Sequence, residues 1–586
     1  MPYFPVLDVN NTSQNVTDTF LGYNHNMKIG DGEFSDMVNM TSDFFPLLAN
    51  RKKRGVVKTL TNPGGILAKE ALAVVENGKL YYNDYEISGL TLTSGVKQMI
   101  SMGAYLLIWP DKVYLNTKDL TDFGSIDRVF TTTGAISYQL SEEDGTNITY
   151  TSQKPTEPQG GDYWLDTTQT PHVLRRYNEY NEDWISVPTV YVKISATGIG
   201  EHFQQFDGVK LSGIAYSGGG EAVAKQYEAL NGTKLIYSRD TNWIVVVGLI
   251  DISSTQTTGA VTASRSAPDM DYVCEAQNRI WGCKYGMVDG KSVNELYCCK
   301  LGDFRNWDCF MGISTDSWAA SVGSDGPWTG CANYLGYPTF FKEDIIHRIA
   351  ISPTGAHQVT ETKGRGVKNG SWRSICEVNE VLFYLGRSFV CAYDGSFPMS
   401  MSDAFGDELY HDGVAGGSGG KYYLSMKDTA NRSRLFVYDV EKRLWHIEDE
   451  TSAMMFTALG DELLYIDAAT GNLIAEKGSI GTPESGNVAW SATTGLIGYT
   501  TVEQKYVTRF NLRMKLPRGS FADMFIQYDS DGIWHHCGHM VGVGTNTFML
   551  PVRPRRCDHF QFKITGSGDI RIYSFARVFE KGSDVV

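Results

Sequence analysis

The sequence predicts an all-β chain: a β-propeller of about seven blades with inserted small β domains and a C-terminal β-sandwich. Three observations predict it. A short strand–turn–strand unit rich in Leu, Ile and Tyr recurs along the chain. Glycine and aromatic residues are abundant, with 61 Gly, 12 Trp, 32 Tyr and 27 Phe in 586 residues. Helical periodicity is scarce; EAVAKQYEAL from Glu221 is one of the few stretches that reads as helix. Aromatic side chains fit a pleated surface, and glycine supplies the positive φ that tight turns need.

Taken in order, residues 1–60 read as an extended N-terminal arm with Asn and Gly turns and one basic run, Arg51-Lys52-Lys53-Arg54. Residues 61–125 hold the first blades, in ALAVVENGKLYYND from Ala71 and QMISMGAYLLIWPDKVYLN from Gln98. Residues 256–482 hold the remaining blades, whose copies start at Tyr272, Gly330, Ser374, Gly419 and Met455. A period of roughly 40–50 residues built only of strands is the mark of propeller blades. One four-stranded blade cannot cover its own two faces, whereas a ring of blades does, leaving only short edges.

Residues 126–255 interrupt the repeat and read as an inserted small β module followed by a β-barrel. In the module, strands at Tyr163–Leu165 and Val173–Tyr177 pair across a turn, with Trp184 following; in the barrel, Ile244–Ile250 is an apolar run. Residues 483–586 alternate over five or more strands, punctuated by Asp529-Ser530-Asp531-Gly532 and Gly566-Ser567-Gly568-Asp569, as a β-sandwich does.

The formal net charge is −15, which argues against a protein whose main task is gripping nucleic acid. No apolar run approaches the ~18–20 residues of a membrane span. The opening MPYFPVLDVNNTSQNV has no basic segment before an apolar core, so the sequence predicts synthesis in the cytoplasm with thiols kept reduced. All ten Cys lie after residue 270 and none forms CxxC. Cys298 and Cys299 should point to opposite faces of a strand.

Catalytic signatures are sparse. There is no phosphate-binding loop, HExxH or GxSxG elbow, and GGSGG at 416–420 reads as a flexible loop. His535, His536, Cys537 and His539 form the densest potential metal cluster, but His535 and Cys537 would share one strand face while His536 points away, and no fourth partner is evident, so neither a metal nor another cofactor is expected. Acids near blade turns (Asp271, Asp316, Asp325, Asp394 and Asp439) suit backbone capping better than paired acid–base chemistry. On these grounds the sequence predicts that the chain is not an enzyme. The best small-ligand candidate is the inserted module, where Tyr163, Trp164, Tyr177, Tyr180 and Trp184 cluster. Of these, Tyr163, Trp164, Tyr177 and Trp184 are the expected carbohydrate-binding set, with Asp162 and Asp166 for hydroxyl groups; the competing reading makes the aromatics the module's own core. The run Arg51, Lys52, Lys53 and Arg54 is the expected subunit interface, pairing with an acidic neighbouring surface.

The opening FLGYNHNMKIGDGEFSDMVNMTSDFFPLLANRKKRG (residues 20–55) resembles the start of tailed-bacteriophage β-propeller tail proteins. The matching positions are Asp31-Gly32-Glu33, Asp36, Asn39, Pro46, Leu48, Arg51 and Arg54. NRIWGC with KLGDFRNW (residues 278–307), then Asp316 and GSDGPWTG, resembles a blade of the same proteins. The run from Val488, with KYVTRF, QYDSDGIW and LPVRPRRCDHFQFKITG, is similar to a terminal β-sandwich of phage structural proteins from Gram-positive hosts. The resemblance covers about three quarters of the chain and leaves the insertion outside it. It implies a structural virion protein of the tail (nozzle, tail tip or baseplate), with itself as partner in a ring, a hexamer in the short-tailed phages. Other tail or fibre proteins would attach to that ring, and DNA would only pass through its channel during ejection. The alternatives are a host-glycan receptor-binding protein and, behind it, a propeller polysaccharide hydrolase.

Overall fold

The computed structural model describes residues 12–216, 218–352, 355–498 and 504–581. It is an all-β chain of the β-propeller class, with one α-helix, Glu221–Glu228, among the described residues. Seven antiparallel blades follow one another, six of four strands and the last of five. The first six begin with the strands Pro63–Ala68, Gln98–Met102, Tyr272–Ala276, Gly330–Tyr334, Cys376–Val378 and Tyr410–Ser418. The seventh takes three strands from Ala453–Leu459, Glu462–Asp467 and Asn472–Ala475, its fourth from Gly55–Thr59, and a short edge strand from Thr482–Pro483. A strand from before the first blade therefore completes the last one. Two-residue turns link blade strands, as at Asn77-Gly78 (φ 50° and 73°) and Gln277-Asn278 (both 57°). Positive φ at both positions gives a turn whose twist matches that of the strands it joins.

The chain divides into two compact units. One comprises residues 1–99, 326–348 and 360–586, and the other residues 100–325 and 349–359. The first contains the terminal sandwich, and here the structure corrects the expected extended arm at 1–60 over residues 12–60; residues 1–11 lie outside the described residues. Thr12–Thr17 and Leu48–Asn50 pair with Arg571–Lys581, while Glu33–Val38 pairs with Ala489–Thr494. The result is two six-stranded sheets, each built from both ends of the chain. Sheets that pack face to face bury one side of every strand. The N-terminal strands accordingly sink Phe20, Phe34, Met37 and Leu48 into a core with Phe510, Phe562 and Phe575. That core continues into Phe383, Tyr422, Phe436 and Trp445 of blades five and six.

In the second unit, the insertion spans two facing sheets rather than one closed barrel. Arg128–Thr131, Thr262–Arg265, Gly208–Ser212 and Gly232–Leu235 form one ladder; Ser238–Asp240, Trp243–Val247, Tyr191–Ser195, Ile136–Ser141 and Ser254–Gln256 form the other. Tyr138, Val192, Ile194, Val209, Leu211 and Ile244 fill the space between them, and the helix adds Val223 and Tyr227. All ten Cys are free thiols.

Candidate functional site

The inserted module is a small sheet. Tyr163–Asp166, Val173–Asn178 and Asp183–Ser186 run antiparallel, with Tyr150–Thr151 parallel at the edge. Register sorts its aromatic residues. Tyr163 lies opposite Arg176, and Arg176 opposite Ile185, so these three share a face. Trp164 lies opposite Arg175, and Tyr177 opposite Trp184, on the other face. Neighbours along a strand alternate between faces, so a set contiguous in sequence is divided in space.

On the second face, Trp164 meets Trp184 edge-on with ring centroids 5.6 Å apart, and Tyr177 lies 5.3 Å from Trp184. Lys154 and the Arg175 guanidinium cover the Trp164 ring at 5.5 and 5.9 Å. Arg175 also pairs with Asp166 at 3.0 Å. The Thr168 hydroxyl, followed by the Arg175 contact, outweighs burial and holds the Asp166 carboxyl below its usual range. Trp184 is only 8% exposed. This corrects two of the expected ligand residues. Trp184 is buried and Trp164 half-buried beneath two cations, so both rings pack within the sheet.

The first face is different. The Tyr163 hydroxyl donates to Glu142 at 3.0 Å, and burial together with that carboxylate raises its pKa. Its ring carries the Arg176 guanidinium at 5.6 Å. Beside them opens a surface cleft of about 770 Å³, lined by Tyr163, Arg176, Tyr177, Glu179, Tyr180 and Ile185 among others. Tyr180 sits in the turn after Asn178, whose side-chain oxygen accepts the Tyr180 and Asn181 N–H groups at 3.0 and 3.2 Å. That bond fixes the turn and leaves Tyr180 94% exposed. Of the expected set, Tyr163 and Tyr177 line the cleft, though the Tyr177 ring packs on Trp184, and Tyr180 joins them. Asp162 takes the Gln159 N–H at 2.8 Å, so it shapes the loop entering the sheet.

The expected interface run is divided by burial. Lys52 and Lys53 are exposed, but Arg51 and Arg54 are 7% and 2% exposed. Arg54 sits among Glu448 (2.5 Å), Asp449 (2.6 Å) and Glu476, whose Oε2 is 2.7 Å from Arg54 Nε but off the hydrogen-bonding line. Arg51 pairs with Glu484 at 2.9 Å and with Asn39 Oδ1 at 2.7 Å. Burial pushes Glu476 well above the usual carboxylate range; the attraction of Arg54 opposes this, and the hydrogen-bonded Glu448 carboxylate adds to it.

Elsewhere, Asp523 accepts hydrogen bonds from His536 Nε2 and His539 Nδ1, both at 2.9 Å. These bonds outweigh burial and keep Asp523 below its usual range. Among the described residues no group of three or more His, Cys, Asp or Glu is arranged to hold a metal ion. Asp316 receives the N–H groups of Gly312 and Ile313, and Asp439 the Ser42 hydroxyl, so these blade acids are tied to local structure.

No family profile and no curated protein matches the sequence. Among solved structures, the chain is similar to an exo-β-1,3-galactanase from Phanerochaete chrysosporium at 8% identity and TM-score 0.21, over 52% of this chain and 94% of that one. It is similar to Trypanosoma rangeli sialidase at 10% identity and TM-score 0.20, over 97% of each chain. A structure titled glycoside hydrolase matches at 10% identity and TM-score 0.18, over 52% of this chain and 96% of that one. These are matches of fold, and no catalytic residue carries over at such similarity. They do correct one expectation: the exclusion of an enzyme, drawn from missing sequence motifs, does not stand when the matched structures include named glycoside hydrolases.

Proposed function

We propose that this chain is a carbohydrate-recognising propeller protein whose inserted module makes the glycan contact. One observation carries the reading: the Tyr180 ring is presented at a fixed turn, 94% exposed, beside a cleft holding Arg176 and Glu179. A sugar ring offers an apolar C–H face and a rim of hydroxyls. An exposed tyrosine suits the first, and a cation and a carboxylate on one cleft suit the second. The test is a glycan array probed with the full chain. Wild type is expected to bind a defined glycan class, and Y180A and R176A to lose that signal without losing thermal stability. No binding by wild type, or unchanged binding by Y180A, overturns the reading. Assaying bound glycans for release of reducing ends separates recognition from hydrolysis.

A second reading, a structural part of a phage tail, is favoured by what the resembling motif does. Asp31 pairs with Arg577, Asp36 with Arg434, Asn39 with the Ala489 carbonyl, and Arg51 and Arg54 with acids from residues 448–484. Gly32 has φ 89°, and a Cβ there would stand 2.2 Å from the Thr19 carbonyl. The motif therefore seats one N-terminal segment against sandwich and blades, a task suited to a rigid assembly part. The two readings are compatible in a tail protein that also binds a host glycan. Micrographs of particles labelled for this chain, with the mass of the purified protein, test the second: an isolated monomer absent from particles overturns it.

A further inference from the structure

A cavity of about 330 Å³ opens between the two sheets of the terminal sandwich. Its walls are Phe20, Phe34, Phe560, Phe562 and Phe575, drawn from both sheets and from the segment that crosses them. A smaller void of about 20 Å³ shares four of these rings and continues inward past Leu48 and Leu512. Lys28, Lys505 and Arg577 also line the cavity, facing Asp31 and Glu33.

Arg577 makes the cavity more than a packing gap. It is 3% exposed, yet among the described residues its one ion pair runs from Nη2 to Asp31 Oδ2 (2.5 Å), and the Asp31 side chain is 55% exposed. Its Nε is buried without a hydrogen-bond partner among the described residues. The Glu33 carboxylate accepts from the Asn24 side chain (3.0 Å) and the Gly30 N–H (2.5 Å). Lys505, 1% exposed, donates to the Asp558 carbonyl, a neutral acceptor. Buried donors of charged groups are costly to leave unsatisfied. The site thus joins an apolar aromatic interior to under-neutralised cations, the lining of a pocket that orients a ligand by one polar end.

We propose that this cavity binds a small amphipathic carboxylate, its acid group against Arg577 and Lys505 and its apolar body among the phenylalanines. Calorimetric titration of the full chain with decanoate, 1-decanol and acetate tests it. Decanoate should bind saturably, and the alcohol and acetate at least about tenfold more weakly, since each lacks half of the match. R577Q should weaken decanoate by about tenfold and leave decanol unchanged. Because Arg577 also holds Asp31, K28A is the second variant. Lys28 is exposed at the mouth, so the fold should be retained and decanoate binding should fall about twofold, more at low salt than at high salt. Absence of saturable decanoate binding by wild type overturns the proposal. So does equal affinity for decanoate and decanol, or a K28A variant with wild-type affinity at low salt.

Discussion

The basic run at 51–54 and the aromatic stretch at 163–184 are equally dense in residues that usually do something on a surface, and the fold treats them in opposite ways. In the basic run the outer pair, Arg51 and Arg54, is buried among carboxylates while Lys52 and Lys53 stay in solvent. In the aromatic stretch the strand residues interlock and a turn residue, Tyr180, is left facing out. The run that looked like a contact surface is an internal clasp, and the stretch that looked like one aromatic platform is a platform's support plus a single presented ring. The difference lies in where the partners sit. Arg54 finds its acids about 400 residues further along the chain, whereas Trp164 finds Trp184 within the same small sheet.

The largest effect should come from breaking the clasp. R54L leaves Glu448, Asp449 and Glu476 gathered without their central cation. Removing one partner of a buried charge network costs about 3–5 kcal/mol, which denaturant unfolding of the full chain should register. K52A and K53A should stay within about 0.5 kcal/mol of wild type. If R54L unfolds like K52A, the contrast drawn within the run collapses.

Next in size is the aromatic support. W184A removes a buried ring that packs against Trp164 and Tyr177. Loss of a buried Trp costs about 3–5 kcal/mol where the site cannot collapse, and the exposed side of this sheet permits partial collapse, so the lower end is expected. The readout is hydrogen exchange of the amides in 163–186, which should rise while blade amides stay protected. An unchanged profile would mean that Trp184 is a surface residue after all.

The repeat was legible in the sequence because each blade pairs with itself. ALAVVENGKLYYND holds two strands and the turn between them, and the pairing of Ala73 with Tyr82 is local. The N-terminal strands were not legible. Glu33–Val38 is short, half polar and bracketed by Gly32 and Asn39, and its partner Ala489–Thr494 lies more than 450 residues away. Residues 12–50 therefore look like an arm when read alone. The division of Tyr163 from Trp164 was available from strand alternation, but the burial of Trp184 depends on the cross-strand register. Asp523, the shared partner of His536 and His539, stayed hidden because a bulge between Met524 and Phe525 sets the alignment that lets both rings reach it. The Arg577 cavity needed both sheets in place.

A gentler perturbation of the clasp is pH. Glu476 has its pKa raised by burial and by Glu448 despite Arg54. A raised folded pKa means that its contribution is fully present below the ordinary Glu value of about 4.3 and is lost as pH rises through the folded value. Asp449, held low by Arg54 against burial, works in the opposite sense and is lost as pH falls. E476Q fixes the uncharged form, so its stability relative to wild type should increase as pH rises from about 5 to 8. A stability difference that is flat across that window would mean that Glu476 is already ionised and that Arg54 neutralises it fully.

The smallest effect on stability should be the largest on binding. Tyr180 buries almost nothing and its turn is held by Asn178, so Y180A should leave the unfolding midpoint within the noise of a surface substitution, about 0.5 kcal/mol. N178A removes the acceptor that caps two backbone N–H groups and should loosen the turn at a cost of about 1 kcal/mol, while the tyrosine itself remains. If presentation matters as much as the ring, both variants lose glycan binding, and only N178A also raises hydrogen exchange at 178–182. If N178A binds as wild type does, the ring alone is sufficient and the fixed turn is incidental. That pair of variants divides what the sequence offers at this position, a tyrosine, from what the fold adds, a tyrosine held in place.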